Sequence, residues 1–199
     1  NFMPDTKTAL ITGASAGLGA EFACQLAAQG YHLILTARRL ERLQALAEQL
    51  QAQYAVPVQV LPADLSDPDS VQAVAAKILS TPDLELLVNN AGFSVGERFS
   101  DGSLEKHLDM IQVHVLASVI LTRAALPAMQ SRRRGGIINV ASVAAFLPAG
   151  NTTYTATKAY LVNFSRALQI ELLGTGIHVQ ALCPGFTYTE FHDTPELHA

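Results

Sequence analysis

The sequence predicts an α/β fold in which one parallel β-sheet is covered by helices on both faces. Short apolar runs alternate along the chain with longer stretches whose apolar residues recur at helical spacing. Crossovers between parallel strands are right-handed, so this alternation is typical of a doubly wound parallel sheet. Polar or glycine residues follow each predicted strand, at the edge where such sheets bind ligands.

Composition favours a single domain spanning residues 1–199. Hydrophobic residues make up 49% of the chain, which is enough for a large core. The net charge of −4 argues against a nucleic-acid partner and against an anionic membrane. No apolar run reaches the ~20 residues that span a bilayer. Charges at Asp5 and Lys7 interrupt the first apolar run, so we expect neither a membrane segment nor a signal peptide.

Cys24 and Cys183 are the only cysteines in the sequence. Two cysteines supply no framework for a metal site and form at most one disulfide bond. We interpret both as free thiols of a reducing compartment, which predicts a cytoplasmic protein. No pattern of histidine, cysteine and carboxylate residues suggests a metal, so we expect a reaction that needs none.

The first part of the chain contains four predicted strands, at 7–12, 31–36, 58–61 and 84–88. Each is short and apolar, as strands covered on both faces of a parallel sheet are. Helices with an apolar stripe are predicted at 20–29, at 40–53 and over a third stretch that ends near residue 79. Gly30 ends the first helix as a C-cap, and Ser66 or Asp67 begins the third as an N-cap.

The second part of the chain continues the same alternation. A long helix is predicted over 104–130, with a kink near Pro127, because proline removes a helical hydrogen bond. Strands follow at 137–140 and 177–182, separated by a helix over 152–173.

Three glycines stand between the first strand and its helix, at Gly13, Gly17 and Gly19. Glycine lets the backbone turn tightly and approach a pyrophosphate, whose charge then meets the N-terminus of the helix. The alternative is a helix-entry turn that uses glycines for packing alone. The order strand, turn and helix favours dinucleotide binding.

Arg38 and Arg39 follow the second strand, and no acidic residue precedes Glu41. An acid at this place binds the ribose hydroxyls of NAD, whereas an arginine accommodates the additional phosphate of NADP. A guanidinium group can donate two parallel hydrogen bonds to a phosphate, so we predict NADP(H) as the cofactor. The alternative is that both arginines are solvated residues at a helix start, which suits Arg39 better than Arg38.

Tyr154 and Lys158 are four residues apart on a predicted helix, so they share one face. A lysine cation beside a tyrosine lowers the pKa of the phenol from its usual ~10 and makes it a usable proton donor. Ser142, at the end of the fifth strand, could hold an oxygen atom beside that phenol. The alternative is an amphipathic helix with a core tyrosine and a surface lysine.

Together these motifs resemble a classical short-chain dehydrogenase/reductase, in the order of that family and over essentially the whole chain. The matching residues are Thr12-Gly13-x-x-x-Gly17-x-Gly19, Asp64-Leu65, Asn89-Asn90-Ala91-Gly92, Ser142, Tyr154-x-x-x-Lys158 and Pro184-Gly185-x-x-x-Thr189. The resemblance implies a Rossmann-type fold and hydride transfer between a nicotinamide cofactor and a carbonyl or a secondary alcohol. It also implies a homodimer or a homotetramer.

The resemblance implies a division of roles among these residues. Asp64 would bond the adenine amino group, and the residues from Asn90 to Gly92 would support the adenine ribose and the sheet. The residues from Pro184 to Thr189 would hold the nicotinamide end. Ser142 and Tyr154 would bond the substrate carbonyl, Tyr154 would donate its proton, and Lys158 would bond the nicotinamide ribose. The residues that would contact the cofactor are Gly13, Ser15, Gly17, Leu18, Gly19, Arg38, Arg39, Asp64, Leu65, Asn90, Ala91, Gly92, Tyr154, Lys158, Pro184, Gly185, Thr187 and Thr189.

The chain departs from the family pattern in three places. His114 stands where the family has an asparagine that helps a water-linked proton path reach the lysine, so His114 either joins the catalytic group or is a packed histidine. The separation of Ser142 and Tyr154 is one residue shorter than usual. The sequence ends at Ala199, where family members continue, so we expect the C-terminal end of the fold to be missing.

The substrate is predicted less closely than the cofactor. Candidate pocket residues are mostly apolar, which suggests a hydrophobic ketone, aldehyde or secondary alcohol; they are Phe93, Ser94, Val95, Phe146, Leu147, Phe186, Tyr188 and Phe191. The alternative function is an NADP(H)-binding sensor or scaffold without turnover. The unusual His114 favours it, whereas the presence of Ser142, Tyr154 and Lys158 argues against it.

Overall fold

A computed structural model of the chain describes residues 7–147 and 151–185. Its strands are β1 Thr8–Thr12, β2 His32–Ala37, β3 Val58–Pro62, β4 Leu84–Asn89, β5 Gly135–Val140 and β6 Ile177–Leu182. Its α-helices are α1 Gly17–Ala28, α2 Leu40–Tyr54, α3 Pro68–Leu79, α4 Leu104–Ile111, α5 Ser118–Arg132 and α6 Thr152–Glu171. The predicted alternation of strand and helix is confirmed.

The strands form one parallel sheet in the order β3-β2-β1-β4-β5-β6. Strand β1 lies between β2 and β4, and Ile11 pairs with Leu35 on one side and with Val88 on the other. The direction of winding reverses between β1 and β4. A crevice therefore opens beyond the carboxyl ends of these two strands, which is where doubly wound sheets bind their ligands.

Helices cover both faces of the sheet, because successive side chains of each strand point to opposite faces. Leu10 of β1 packs into the cluster that α3, α5 and α6 form on one face. Its neighbours Ala9 and Ile11 pack into the cluster that α1 and α2 form on the other face. The fold class predicted from the sequence, a Rossmann-type sheet with helices on both faces, is confirmed.

Two predicted helix caps are present in the structure. Gly30 follows α1 with a positive φ of 79°, and its amide donates to the Ala27 carbonyl, so it ends the helix as predicted. Asp67, rather than Ser66, is the N-cap of α3, and its carboxylate accepts hydrogen bonds from the amides of Asp69 and Ser70. A hydrogen bond from the Ser70 hydroxyl, together with those two amide bonds, holds the pKa of the exposed Asp67 carboxyl below its usual value.

The long helix predicted over 104–130 differs from the expectation. A π-helical turn, Gln112–Ala117, separates α4 from α5 and contains His114. Helix α5 continues through Pro127 to its end. The irregular turn therefore lies where the helix passes the candidate site, as π-turns often do at functional sites, and it is not caused by the proline.

In the described part of the chain, one helical stretch, Leu104–Arg132, is long and apolar enough to cross a membrane by length and composition alone. This departs from the expectation that no stretch of the chain would be long and apolar enough to span a bilayer. Within its most apolar window, 56% is buried inside the fold, where α5 packs against α3 and β4. Buried core helices pass the same test, so the finding is weak evidence for a membrane span.

Leu87 of β4 is fully buried, so replacing it measures how much the core on the α5 face stabilises the fold. We expect Leu87→Ala to lower the free energy of unfolding by about 2–5 kcal/mol, because it removes buried apolar surface and leaves a cavity. Leu79→Ala is the control, since Leu79 is 62% exposed, and should change stability by less than about 0.5 kcal/mol. Urea unfolding measures both, and equal losses would contradict this account of the core.

Candidate active site

A cavity of about 660 Å³ lies beyond the carboxyl ends of the strands. It brings together residues that follow β1, β2, β3, β4, β5 and β6, as the sequence predicts. The candidate site residues that line it are Gly13, Ser15, Gly17, Leu18, Arg38, Arg39, Asp64, Leu65, Asn90, Ala91, Gly92, Ser142, Tyr154, Lys158, Pro184 and Gly185. Thr187 and Thr189 lie outside the described residues.

The glycine turn is packed too tightly for side chains. A Cβ atom added to Gly19 would lie 2.2 Å from the Gly13 carbonyl oxygen, and Gly13 itself has a positive φ of 66°. Gly19 is buried and does not line the cavity, so it serves the close packing of α1 on the turn. No side chain caps the start of α1 and its first turn carries no acidic residue. The amide groups there can therefore receive an anionic group.

Polar side chains at the ends of β1 and β4 hold this turn in place. The Thr12 hydroxyl oxygen accepts hydrogen bonds of 2.9 Å from the amides of Asn90 and Ala91. The Asn90 carboxamide donates to the carbonyls of Thr12 and Gly13 at 2.9 and 3.2 Å. The contacts of Asn90 agree with the support of the sheet that the family resemblance implies for it. Thr12, for which no role was predicted, also ties the turn to the neighbouring strand.

The two arginines after β2 lie at the same end of the cavity but differ in their contacts. Arg39 donates to the Ser15 hydroxyl from Nε and from a terminal nitrogen, at 3.4 and 3.2 Å. Arg38 has a side chain that is 73% exposed and lies 4.0 Å from the Asp64 carboxylate. Asp64 in turn accepts hydrogen bonds from the amide and hydroxyl of Ser66. Both arginines line the cavity, and Arg39, which the alternative treats as a solvated residue, contacts Ser15.

Ser142, Tyr154 and Lys158 meet at the other end of the cavity. The Ser142 hydroxyl hydrogen-bonds the Tyr154 phenol and also accepts from the Ala144 amide at 3.1 Å. The shorter spacing between Ser142 and Tyr154 therefore does not separate their side chains. Lys158 is 3% exposed, and its Nζ donates to the Val140 carbonyl at 2.8 Å and lies 5.5 Å from the centre of the Tyr154 ring.

The electrostatics of this group differ from the prediction that Lys158 lowers the pKa of Tyr154. Burial raises the pKa of the Tyr154 phenol above its usual 10.0, and the hydrogen bond to Ser142 opposes that rise. Burial also lowers the pKa of the Lys158 ammonium from 10.5 to about 8, partly offset by Cys183. In this geometry the phenol is therefore a protonated donor at neutral pH, and the lysine is a buried cation.

His114 does not line the cavity and lies behind the Tyr154 ring, 5.8 Å from it between ring centres. It is fully buried. One ring nitrogen accepts from the Phe93 amide at 3.1 Å, and the other lies 2.9 Å from the Thr157 hydroxyl. Thr157 was not a predicted site residue, although its position next to Lys158 on α6 could have indicated it.

The candidate substrate residues are only partly brought together. Phe93, Ser94 and Leu147 line the cavity, whereas Val95 is buried and Phe146 is 57% exposed, and neither of these two lines it. Phe186, Tyr188 and Phe191 lie outside the described residues. Lining residues that were not predicted from the sequence include Asp109, Val113, Asn151 and Thr155.

No three histidine, cysteine or carboxylate side chains in residues 7–147 and 151–185 lie close enough together to hold a metal ion. Cys24 and Cys183 are both free.

Comparison with known proteins agrees with this geometry. The family model for short chain dehydrogenases matches residues 7–197. The chain belongs to the short-chain dehydrogenase family. Its members are oxidoreductases, and the resemblance inferred from the motifs is confirmed.

Two relatives and one solved structure illustrate the match. An NADP-dependent 3-hydroxy acid dehydrogenase of Schizosaccharomyces pombe is 37% identical over 94% of this chain and 74% of its own. A sulfoacetaldehyde reductase of Chromohalobacter salexigens is 40% identical over the same shares of the two chains. A short-chain dehydrogenase from Sphingobium yanoikuyae in complex with NADPH superimposes with a TM-score of 0.92 at 37% identity, over 94% of this chain and 73% of its own.

The buried Lys158 predicts a pH-dependent cost to stability. Its folded pKa of about 8 lies below the unfolded value of 10.5, so the cost is complete below pH about 8 and disappears as the pH rises to about 10.5. It is on the order of 3 kcal/mol, which is the net effect of the difference between the two pKa values. We expect Lys158→Met to raise the melting temperature at pH 7 and the gain to shrink by pH 9.5. Lys77→Met, on α3, is the control. A gain in melting temperature that does not depend on pH would contradict a stability cost caused by the buried Lys158 cation.

Proposed function

We propose that the protein is an NADP(H)-dependent oxidoreductase that transfers a hydride between this cofactor and a carbonyl or secondary alcohol, with Tyr154 as the general acid and base. The observation that carries the proposal is one cavity that joins Ser142, Tyr154 and Lys158 to a glycine turn and to Arg38. A relative named NADP-dependent and a structural neighbour in complex with NADPH support the choice of cofactor.

The residues present fit such a cofactor. The uncapped start of α1 and the side-chain-free surface of the glycine turn suit a pyrophosphate. Arg38, Arg39 and the Ser15 hydroxyl lie together at the β2 end of the cavity and would hold the phosphate that distinguishes NADP from NAD. Asp64 and Asn90 would face the adenosine part. Pro184 and Gly185 border the opposite end, beside Lys158, and would hold the nicotinamide part.

The cofactor, when bound, supplies or accepts the hydride, and the protein supplies orientation and a proton. The Ser142 hydroxyl and the Tyr154 phenol lie in hydrogen-bond contact, so both can bond one substrate oxygen. During reduction the Tyr154 phenol donates its proton to that oxygen as negative charge develops there. The Lys158 cation lies on the same face of α6 and stabilises the phenolate that remains.

The substrate that this pocket would accept is a carbonyl compound or secondary alcohol with an apolar part. Phe93, Val113 and Leu147 supply apolar lining, while Ser94 and Asn151 add hydrogen-bonding groups. The two curated relatives are named for a 3-hydroxy acid and for sulfoacetaldehyde, so related chains reduce or oxidise small polar substrates as well. We further propose, on the family resemblance, a cytoplasmic homodimer or homotetramer.

Replacing the proposed proton donor tests the chemistry directly. We expect Tyr154→Phe to lower kcat by at least about 10²–10⁴-fold in NADPH-dependent reduction of a carbonyl panel, because the phenol proton is lost. The dissociation constant of NADPH, measured by its own fluorescence, should stay within about threefold, since the phenyl ring keeps the packing.

Tyr160→Phe is the matched control, because Tyr160 is 41% exposed on the same helix and does not line the cavity. Activity retained in Tyr154→Phe would contradict the assignment of Tyr154 as the general acid. A wild-type protein that binds NADPH but turns over no carbonyl in the panel would instead support the sensor or scaffold function.

Reversing the charge at Arg38 tests the choice of cofactor. We expect Arg38→Asp to weaken NADPH binding by about 10–100-fold and to leave NADH binding unchanged or stronger, because the variant loses a charge-assisted bond to phosphate. Titration calorimetry with both cofactors measures the change, with Arg123→Asp on the exposed surface of α5 as the control. A wild-type protein that binds NADH more tightly than NADPH would contradict the assignment of NADP(H) as the cofactor.

A further inference from the structure

We propose that His114 is a neutral positioning residue, which holds the Phe93 amide and the Tyr154 turn of α6 in place and carries no proton to Lys158. The inference rests on the proposed function, because the groups that His114 positions are the wall of the substrate pocket and the proposed acid. It decides between the two alternatives that the sequence left open, a histidine of the catalytic group and a packed histidine.

The hydrogen bonds determine which ring nitrogen carries the proton. The Phe93 amide donates to Nε2 at 3.1 Å, so Nε2 must present a lone pair. The Thr157 hydroxyl donates its only hydrogen to the Tyr154 carbonyl at 2.9 Å. The contact of 2.9 Å between Nδ1 and the Thr157 oxygen therefore requires a hydrogen on Nδ1. Both nitrogens are thus committed to protein groups, and neither remains to extend a chain of water molecules.

Packing around the ring leaves no room for another arrangement. The imidazole lies edge-on to the rings of Phe93 and Tyr154, 6.0 and 5.8 Å away between centres. A Cβ atom on Gly92 would lie 2.8 Å from Nε2, so the glycine permits the close approach. The π-helical turn Gln112–Ala117 carries the histidine to this position between the loop after β4 and helix α6.

The charges near the ring favour the neutral form. Lys158 and Tyr154, both on α6, are the titratable groups that face His114, and the loop at Gly92 and Phe93 presents none. A proton on Nε2 would point at the Phe93 amide hydrogen and would place a second cation beside Lys158. Burial, and then the Lys158 charge, hold the pKa of His114 well below its usual 6.5. An unfolded chain takes up this proton near pH ~6.5 and the folded one does not, so stability falls as the pH decreases below that value.

The test uses the whole protein with ¹⁵N-labelled histidine, and His114→Gln identifies the signal. We expect a His114 ring with hydrogen on Nδ1 that does not titrate between pH 8 and pH 5.5. A second readout is kinetic. His114→Gln, whose amide oxygen reaches the Nε2 position and accepts from Phe93, should keep kcat within about tenfold, while His114→Ala should lose about 10²-fold through misplacement of the acid. NADPH affinity should change less than about threefold in both.

His178→Gln, on the exposed side of β6, is the control for replacing a histidine. The stability loss between pH 6.5 and pH 5.5 should be smaller in His114→Gln than in wild type or in this control. A His114 signal that titrates near pH 6.5, or a Gln variant as slow as the Ala variant, would overturn the proposal. The labelling and stability results do not need turnover, so they separate failure of this inference from failure of the proposed oxidoreductase function.

Discussion

The contact between the ends of β1 and β4 is the constraint on which the site depends. Asn90 donates hydrogen bonds to Thr12 across it from its backbone amide and its carboxamide, and the space that remains admits only glycine at Gly13 and Gly19. Because the winding of the sheet reverses between these two strands, the contact also determines where the crevice opens. It places the glycine turn on one side and the loop of Gly92 and Phe93 on the other. The same contact therefore positions both ends of the cavity, the end at the glycine turn and the end at Tyr154.

Burial controls the electrostatics at the Tyr154 end of the cavity. The Lys158 amino group is enclosed by protein and bonded to the Val140 carbonyl, so its charge is costly and acts through a medium of low dielectric constant. Burial, and then this charge, hold the pKa of His114 well below its usual 6.5. Burial also raises the pKa of the Tyr154 phenol, so both neighbours of the lysine stay uncharged at neutral pH. The fold supplies the free energy that keeps the single cation buried among them.

Most of the architecture followed from the sequence, since buried parallel strands and amphipathic helices differ in periodicity and length. The motif residues that line the cavity followed from it too, because strand ends in such a sheet share one edge. What the sequence did not reveal depends on distances between separate elements. The role of Thr12 needs the position of Asn90, and the raised pKa of Tyr154 needs the burial of the phenol. Arg39 reaches Ser15 only because the end of β2 lies beside the glycine turn.

The π-helical turn shows why a single substitution in a motif is hard to interpret without coordinates. An asparagine and a histidine both donate and accept hydrogen bonds, so the sequence left open whether His114 would join a proton path. The answer depends on where the ring nitrogens lie, and the widened turn brings them to the Phe93 amide and to Thr157. A histidine with both nitrogens bonded to protein can transfer a proton only by breaking one of those bonds. Inside a fully buried site, that leaves a polar group without a partner. Leaving the Phe93 amide without a partner is energetically costly, so His114 positions its neighbours and does not transfer a proton.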